Sequence, residues 1–183
     1  IARIIPTIFY AKAQNNNHIL SEGCALYLGG YLLWKNKKKR KYFTFYIKGL
    51  KLIESQVQKL IMDDGTFSQY SIVYHRMILD LLSVVELLRN EWNLDSFSDS
   101  FYLKVNLAIE WYSSIVDPIS GNAPNLGAND GTYLFNYDQK AYRDFRPTLS
   151  LASCIFNRPI LEKFVTSHNL IEFFKTPKIQ LKK

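Results

Sequence analysis

Three groups of polar residues in this chain have types and spacings that suit chemistry. The first lies in AKAQNNNHILSEGCALYLGG, residues 11–30, where three asparagines and a histidine stand directly ahead of an apolar helical pattern. An asparagine can cap a helix by accepting from an unpaired backbone N–H, and one suffices for that. His18 and Glu22 are four residues apart and share a helix face. Glu22 can therefore accept the proton of one ring nitrogen, fix the tautomer and leave the other nitrogen for a ligand. On local physics alone, a cap plus a solvated histidine is the simpler account.

The second group lies in DDGTFSQYSIVYHRM, residues 63–77. Tyr74 and His75 fall in the first turn of a helical pattern, where unpaired N–H groups and the positive dipole end favour an anion. Tyr70 and Arg76 add a phenol and a cation. The plainer account packs Tyr74 at a helix end with its hydroxyl in water. The third group, in GNAPNLGANDGTYLFNYDQKAYRDFRP at residues 121–147, offers Asn125, Asn129 and Asp130 to sugar hydroxyls or a cation. It does not follow the calcium-loop pattern, which ends in a distal glutamate. Gly-rich phosphate loops, CxxC, HExxH and GxSxG are missing from the sequence. Three histidines make a multi-histidine metal site a poor expectation, and no cofactor is implied.

The elements that must position these groups are helical almost throughout. Helices are expected at 17–33, 42–62, 71–91, 98–116, 147–156 and 159–174. In the second, Phe43, Tyr46, Leu50, Ile53, Val57 and Leu60 form an apolar stripe at spacings of three and four. The third is apolar over a wide arc and so expected to be well buried. Gly23, Gly29 and Gly30 in the first would let another backbone come close. An Asp-Gly turn separates the second helix from the third, and Pro147 and Pro159 sit where helices open. The segment 117–145 is long for a connection within a compact helical domain, which points to function. No strand alternation persists over five residues. The fold class expected is all-α, built of stacked antiparallel hairpins, as a single helical domain over 1–183.

With 183 residues, 48% hydrophobic and 21% charged, the chain is of a globular kind with room for one sizeable core. Net charge is +7, which favours anionic partners: nucleic acid, a membrane surface or an acidic polysaccharide. Much of the excess sits in KNKKKRK, residues 35–41, expected to be a solvated basic loop. That run lacks aromatic interleaving and any base-reading motif, so nucleic acid is not the expected partner. Cys24 and Cys154 are too far apart in sequence to suggest a disulfide framework or metal site, and are expected to act as small hydrophobes. No apolar run approaches a membrane span.

Taken together, NNNHILSE, GLKLIESQVQKLIMDDGTFSQYSIVYHRMILDLL, PNLGANDG and YRDFRPTLSLASCIF resemble, in order and spacing, the bacterial heparinase II/III-like family. The resemblance covers about residues 14–157. It implies part of an incomplete (α/α) toroid, with the chain a fragment of a longer lyase-like protein whose β-sandwich domain is absent here. A periplasmic or secreted setting is implied as well. The implied activity is β-elimination on uronate-containing anionic polysaccharides, without a cofactor. Matched by position, Asn17 and His18 correspond to the pair that neutralises the uronate carboxylate, and Tyr74 to the catalytic tyrosine. His75, Glu22, Asn125, Asn129 and Asp130 are the expected substrate-binding groups, with Asn16 or Asn15 left to cap the helix. Tyr74 acting as both base and acid, or His18 acting as base, both remain open. A glycan-binding or structural helical domain without turnover is the alternative.

Overall fold

The computed structural model describes residues 16–136, 140–158 and 163–164. Five helices make up the described architecture: α1 (Asn17–Lys37), α2 (Arg40–Leu60), α3 (Ile72–Glu91), α4 (Asp99–Ile115) and α5 (Arg146–Ile155). They pack in antiparallel fashion, and the only β pairing among the described residues is an isolated bridge between Ile61 and Phe67. The expected helix at 159–174 and the opening stretch through Asn15 lie outside the described residues, apart from Lys163 and Phe164.

Asn16 caps α1, its side chain accepting from the His18 backbone N–H at 3.0 Å. Ser71 and Ser98 cap α3 and α4 in the same way, accepting from Tyr74 and Phe101 at 3.2 Å. Each satisfies a donor that the helix start leaves unpaired. The basic run does not form a loop. Residues 35–37 continue α1, residues 40–41 begin α2, and Lys38 and Lys39 make the turn. Lys38 adopts the left-handed conformation (φ 52°) and its N–H closes onto the Trp34 carbonyl at 2.8 Å. Lysine is a good helix former, so a charge run by itself gives no reason for a helix to stop.

α1 and α2 form a tight hairpin because their backbones touch. A Cβ placed on Gly49 would lie 2.2 Å from the Tyr27 backbone nitrogen, and one on Gly30 would lie 2.5 Å from that of Tyr46. The close approach at Gly30 meets the expectation; Gly49 went unremarked in the sequence because it lies inside an ordinary amphipathic pattern. The expected stripe on α2 holds at Ile53, Val57 and Leu60, which are buried, and departs at its first residue. Tyr42 is buried on the inner face, while Phe43 is 40% exposed and rests against Trp34 at 5.2 Å.

α3 is the central helix, touching α1, α4 and α5. As expected, it is buried over a wide arc, but that arc includes His75, Arg76, Asp80, Ser83, Glu86 and Arg89. Glu86 and Arg89 satisfy each other at 2.7 Å, and Tyr102 donates to Glu86 at 3.0 Å. Cys24 is buried, and burial pushes its thiol up to about 12; Cys154 is half-buried on α5. No described helix is long and apolar enough to cross a membrane.

Gly49→Ala should destabilise the hairpin by about 1–3 kcal/mol, since backbone rather than a flexible side chain must give way. A lower urea midpoint with an unchanged slope would register this, and an unchanged midpoint would contradict the close contact.

Candidate active site

The segment after α4 folds back onto the first turn of α3. Ile72 donates its N–H to the Leu126 carbonyl at 3.2 Å, and the Ser71 hydroxyl donates to the Ala128 carbonyl at 2.6 Å. Gly127 makes this possible. Its φ is +70°, and a Cβ there would lie 2.2 Å from the Tyr70 carbonyl oxygen. The docked loop carries Asp130 to Tyr74, whose hydroxyl donates to Oδ2 at 2.7 Å. Thr132 donates to the other oxygen, from its hydroxyl at 2.6 Å and its backbone N–H at 3.0 Å.

These bonds move both protons' equilibria. The Thr132 hydroxyl, then the Tyr74 hydroxyl, hold the Asp130 carboxyl down to about 2. The bond to Asp130 raises the Tyr74 phenol above its ordinary value, since a carboxylate acceptor favours the protonated phenol. Tyr74 is thus held in its neutral, hydrogen-bond-donating form.

The start of α1 reaches the same region. Asn17 donates its backbone N–H to Gln69 Oε1 at 2.9 Å and its side-chain Nδ2 to Met77 Sδ at 3.9 Å. Met77 lies one turn beyond Tyr74 on the same face of α3. A thioether is a weak acceptor, so the donor of the Asn17 amide, which is buried, is poorly served. His18, next in sequence, is exposed. Glu22 lies one turn further along α1 and is half-buried.

Other expected residues are placed differently. His75 does not share the surface with Tyr74. It is 1% exposed, stacked between Trp111 and Tyr112 at centroid distances of 4.8 and 4.9 Å, with Nε2 bonded to the Ala108 carbonyl at 2.9 Å. Burial pulls its imidazole down to about 4, so it is a neutral core residue. Adjacent helix positions point about 100° apart, which separates Tyr74 from His75. Asn125 and Asn129 shape the loop: Asn129 donates to Asn125 Oδ1 at 2.8 Å and accepts from Gly131 N–H and the Tyr142 hydroxyl.

Arg76, expected near the ligand as a surface cation, turns inward instead. Its guanidinium donates to the carbonyls of Thr132 and Tyr142, each at 2.7 Å. The rings of Tyr133, Tyr142 and Phe145 lie within 4.4–4.9 Å of it. It therefore clasps the loop from both sides of the Tyr133–Tyr142 stretch. One turn further along α3, Asp80 is buried and accepts from the Thr148 hydroxyl at 2.8 Å, while its Oδ2 has no partner. Burial pushes its carboxyl up to about 7, with the Thr148 bond and the Arg76 charge working the other way. Gln69, Arg76 as a clasp, Thr132 and Asp80 were not assigned these positions from sequence; no local pattern marks them. No group of three or more His, Cys, Asp or Glu among the described residues is arranged to hold a metal.

The domain is all-α, and the start of α1 meets the segment just ahead of α3 through Asn17 and Gln69. A family model described as "Heparinase II/III N-terminus" matches residues 4–146. The chain belongs to the heparinase II/III N-terminal family. No curated protein and no solved structure matches it significantly.

Two outcomes follow from these environments. Asp130→Asn should return the Tyr74 phenol toward about 10, seen as a downshifted tyrosinate transition in ultraviolet titration against a Tyr74→Phe reference; no movement would deny the bond. For Asp80, the folded state holds its proton more tightly than the unfolded chain. Its contribution to stability therefore falls as pH rises from about 4 to about 7. Asp80→Asn removes that fall, so urea stability of the variant relative to the parent should climb across this window, by at most about 1.4 kcal/mol per pH unit.

Proposed function

We propose that this chain contributes the helical part of a polysaccharide lyase that cleaves uronate-containing anionic glycans by β-elimination. The observation that carries the reading is the meeting of Asn17 with the Tyr74 face of α3, across 60 residues of sequence, through Met77. Family membership supports the same substrate class.

The chemistry explains the residue types. The C5 proton of a uronate is hardly acidic while its carboxylate is charged. Donors that carry no negative charge must hold the carboxylate as electrons move into it. The Asn17 amide suits that role, which leaves His18 to act as base. Both Asn17 and Met77 are buried, so on this reading Met77, an unbranched and adaptable side chain, swings aside to yield the Asn17 amide to a carboxylate, a far better acceptor than sulfur. A base removes the C5 proton, the C4–O bond breaks, and a C4=C5 double bond forms at the new chain end. The departing oxygen takes a proton from an acid.

The bond from Tyr74 to Asp130 supports the acid role for Tyr74. Serving as a base would require a phenolate beside the Asp130 carboxylate, which is electrostatically unfavourable. His18, exposed at the start of α1, is the candidate base. Asp130 and Thr132 orient the phenol and hold its proton until the leaving oxygen replaces Asp130 as acceptor.

The full-length protein, incubated with alginate, heparan sulfate and capsule glycans, should generate unsaturated ends absorbing in the ultraviolet. Tyr74→Phe should lower that rate by at least about a hundredfold, and Asn17→Ala should also depress it. Retained activity in Tyr74→Phe would remove the tyrosine from the mechanism, and glycan binding without product would favour a non-catalytic glycan-binding domain.

A further inference from the structure

The positive charge of this protein is concentrated on one hairpin. Residues 35–51 hold eight lysines and arginines, and no Asp or Glu occurs between Glu22 and Glu54. With 23 basic and 16 acidic residues in all, the rest of the chain is close to neutral. The ion pairs made by Glu86, Asp63, Asp144 and Glu110 involve none of the eight. Three of them lie over rings of the hairpin: Lys35 over Tyr31, Lys38 over Trp34 and Lys41 over Tyr42, at 4.9–5.9 Å.

Another three line a groove. An open depression of about 480 Å³ along α2 is bordered by Arg40, Phe43, Thr44, Ile47, Lys48 and Lys51. Its floor offers the Phe43 ring and the Ile47 side chain. Helical rise puts Lys48 about 12 Å and Lys51 about 16 Å from Arg40 along the axis. Cations spaced along an apolar trough suit an extended polyanion with flat apolar faces. A bilayer would present a plane, which a trough does not match.

We propose that this α2 groove is a second binding site for a linear anionic glycan, separate from the Tyr74 region. That its ligand is a glycan rests on the lyase reading above. α1 spans 21 residues, which sets the Arg40 end of the groove about 30 Å from Asn17, while α2 runs back toward Gly23 and brings its Lys51 end nearer. A polymer several sugars long is needed to engage both places. The groove then acts as an anchor that raises the local concentration of long chains at Tyr74, and it offers short fragments no such advantage.

The test uses the full-length protein and the triple variant Arg40→Gln, Lys48→Gln, Lys51→Gln, with Phe43→Ala as a second variant that leaves charge untouched. Alginate and heparan sulfate are the probes. Because the three cations are exposed, circular dichroism should be unchanged. Polymer binding should weaken about tenfold and its salt dependence should become shallower by about three counterions. Phe43→Ala should weaken binding without altering that slope. Where turnover is measured, KM should rise for long chains and stay level for di- and tetrasaccharides. Wild-type affinity in the triple variant overturns the site, as does tighter binding to phosphatidylserine vesicles or a single-stranded oligonucleotide than to either glycan. If binding and its loss occur as expected but no unsaturated product forms, the lyase reading fails and the groove stands. If product forms and long-chain kinetics in the triple variant match the parent, the groove fails and the lyase reading stands.

Discussion

A buried guanidinium holds together the face that carries Tyr74. Arg76 projects from the central helix into the segment that follows α4, where two backbone carbonyls and three aromatic rings receive it. A charge taken out of water is tolerable only when its donors are met. That requirement works in both directions. The loop must approach so that Arg76 is satisfied, and its own carbonyls, having left water, need Arg76. Removing the guanidinium would strand the Thr132 and Tyr142 carbonyls, and the position of Asp130 against Tyr74 depends on the same clasp.

Around that clasp, smaller devices determine how the loop lies. Gly127 allows the chain to pass against the Tyr70 carbonyl. Ser71 does two jobs, capping α3 and donating to Ala128. Arg146 and Asp144 pair at 2.7 Å beneath the Gly121 turn and close the segment just ahead of α5. The outcome is a long connection with few regular hydrogen bonds that is nonetheless tied at several points to one helix start. Two carboxylates at this junction have opposite fates. Asp130, bonded at the surface, stays ionised, whereas Asp80, buried with one oxygen unpartnered, holds its proton to near neutrality.

The α1–α2 hairpin supplies the second frame. Gly30 and Gly49 let the two backbones touch, which makes the hairpin a stiff strut with different ends. Asn17 sits at one end beside Met77, and the cations of the basic run crowd the other. Since the strut is short of acidic residues over its whole length, its field is directed outward rather than absorbed by internal pairs.

Much of the helical plan was legible in sequence. Periodic apolar residues, the Asn16 cap, the Asp-Gly turn and Pro147 each act over a few neighbouring residues, so local order reveals them. The motif order also marked the family. What local order could not reveal was the direction of polar side chains on a helix buried nearly all round. Tyr74, His75 and Arg76 are consecutive and equally suited to a ligand by type, yet one meets Asp130, one stacks in the core and one clasps a loop 56 to 66 residues away. KNKKKRK likewise looked like a loop because its charge said solvent, but solvent is compatible with helix. Apart from that run, which segments are helical and which chemistry their residues can perform follow from neighbours along the chain, and so could be read from it directly. Tertiary structure alone decided which of those residues meet, because burial and pairing depend on partners that the chain brings together only on folding.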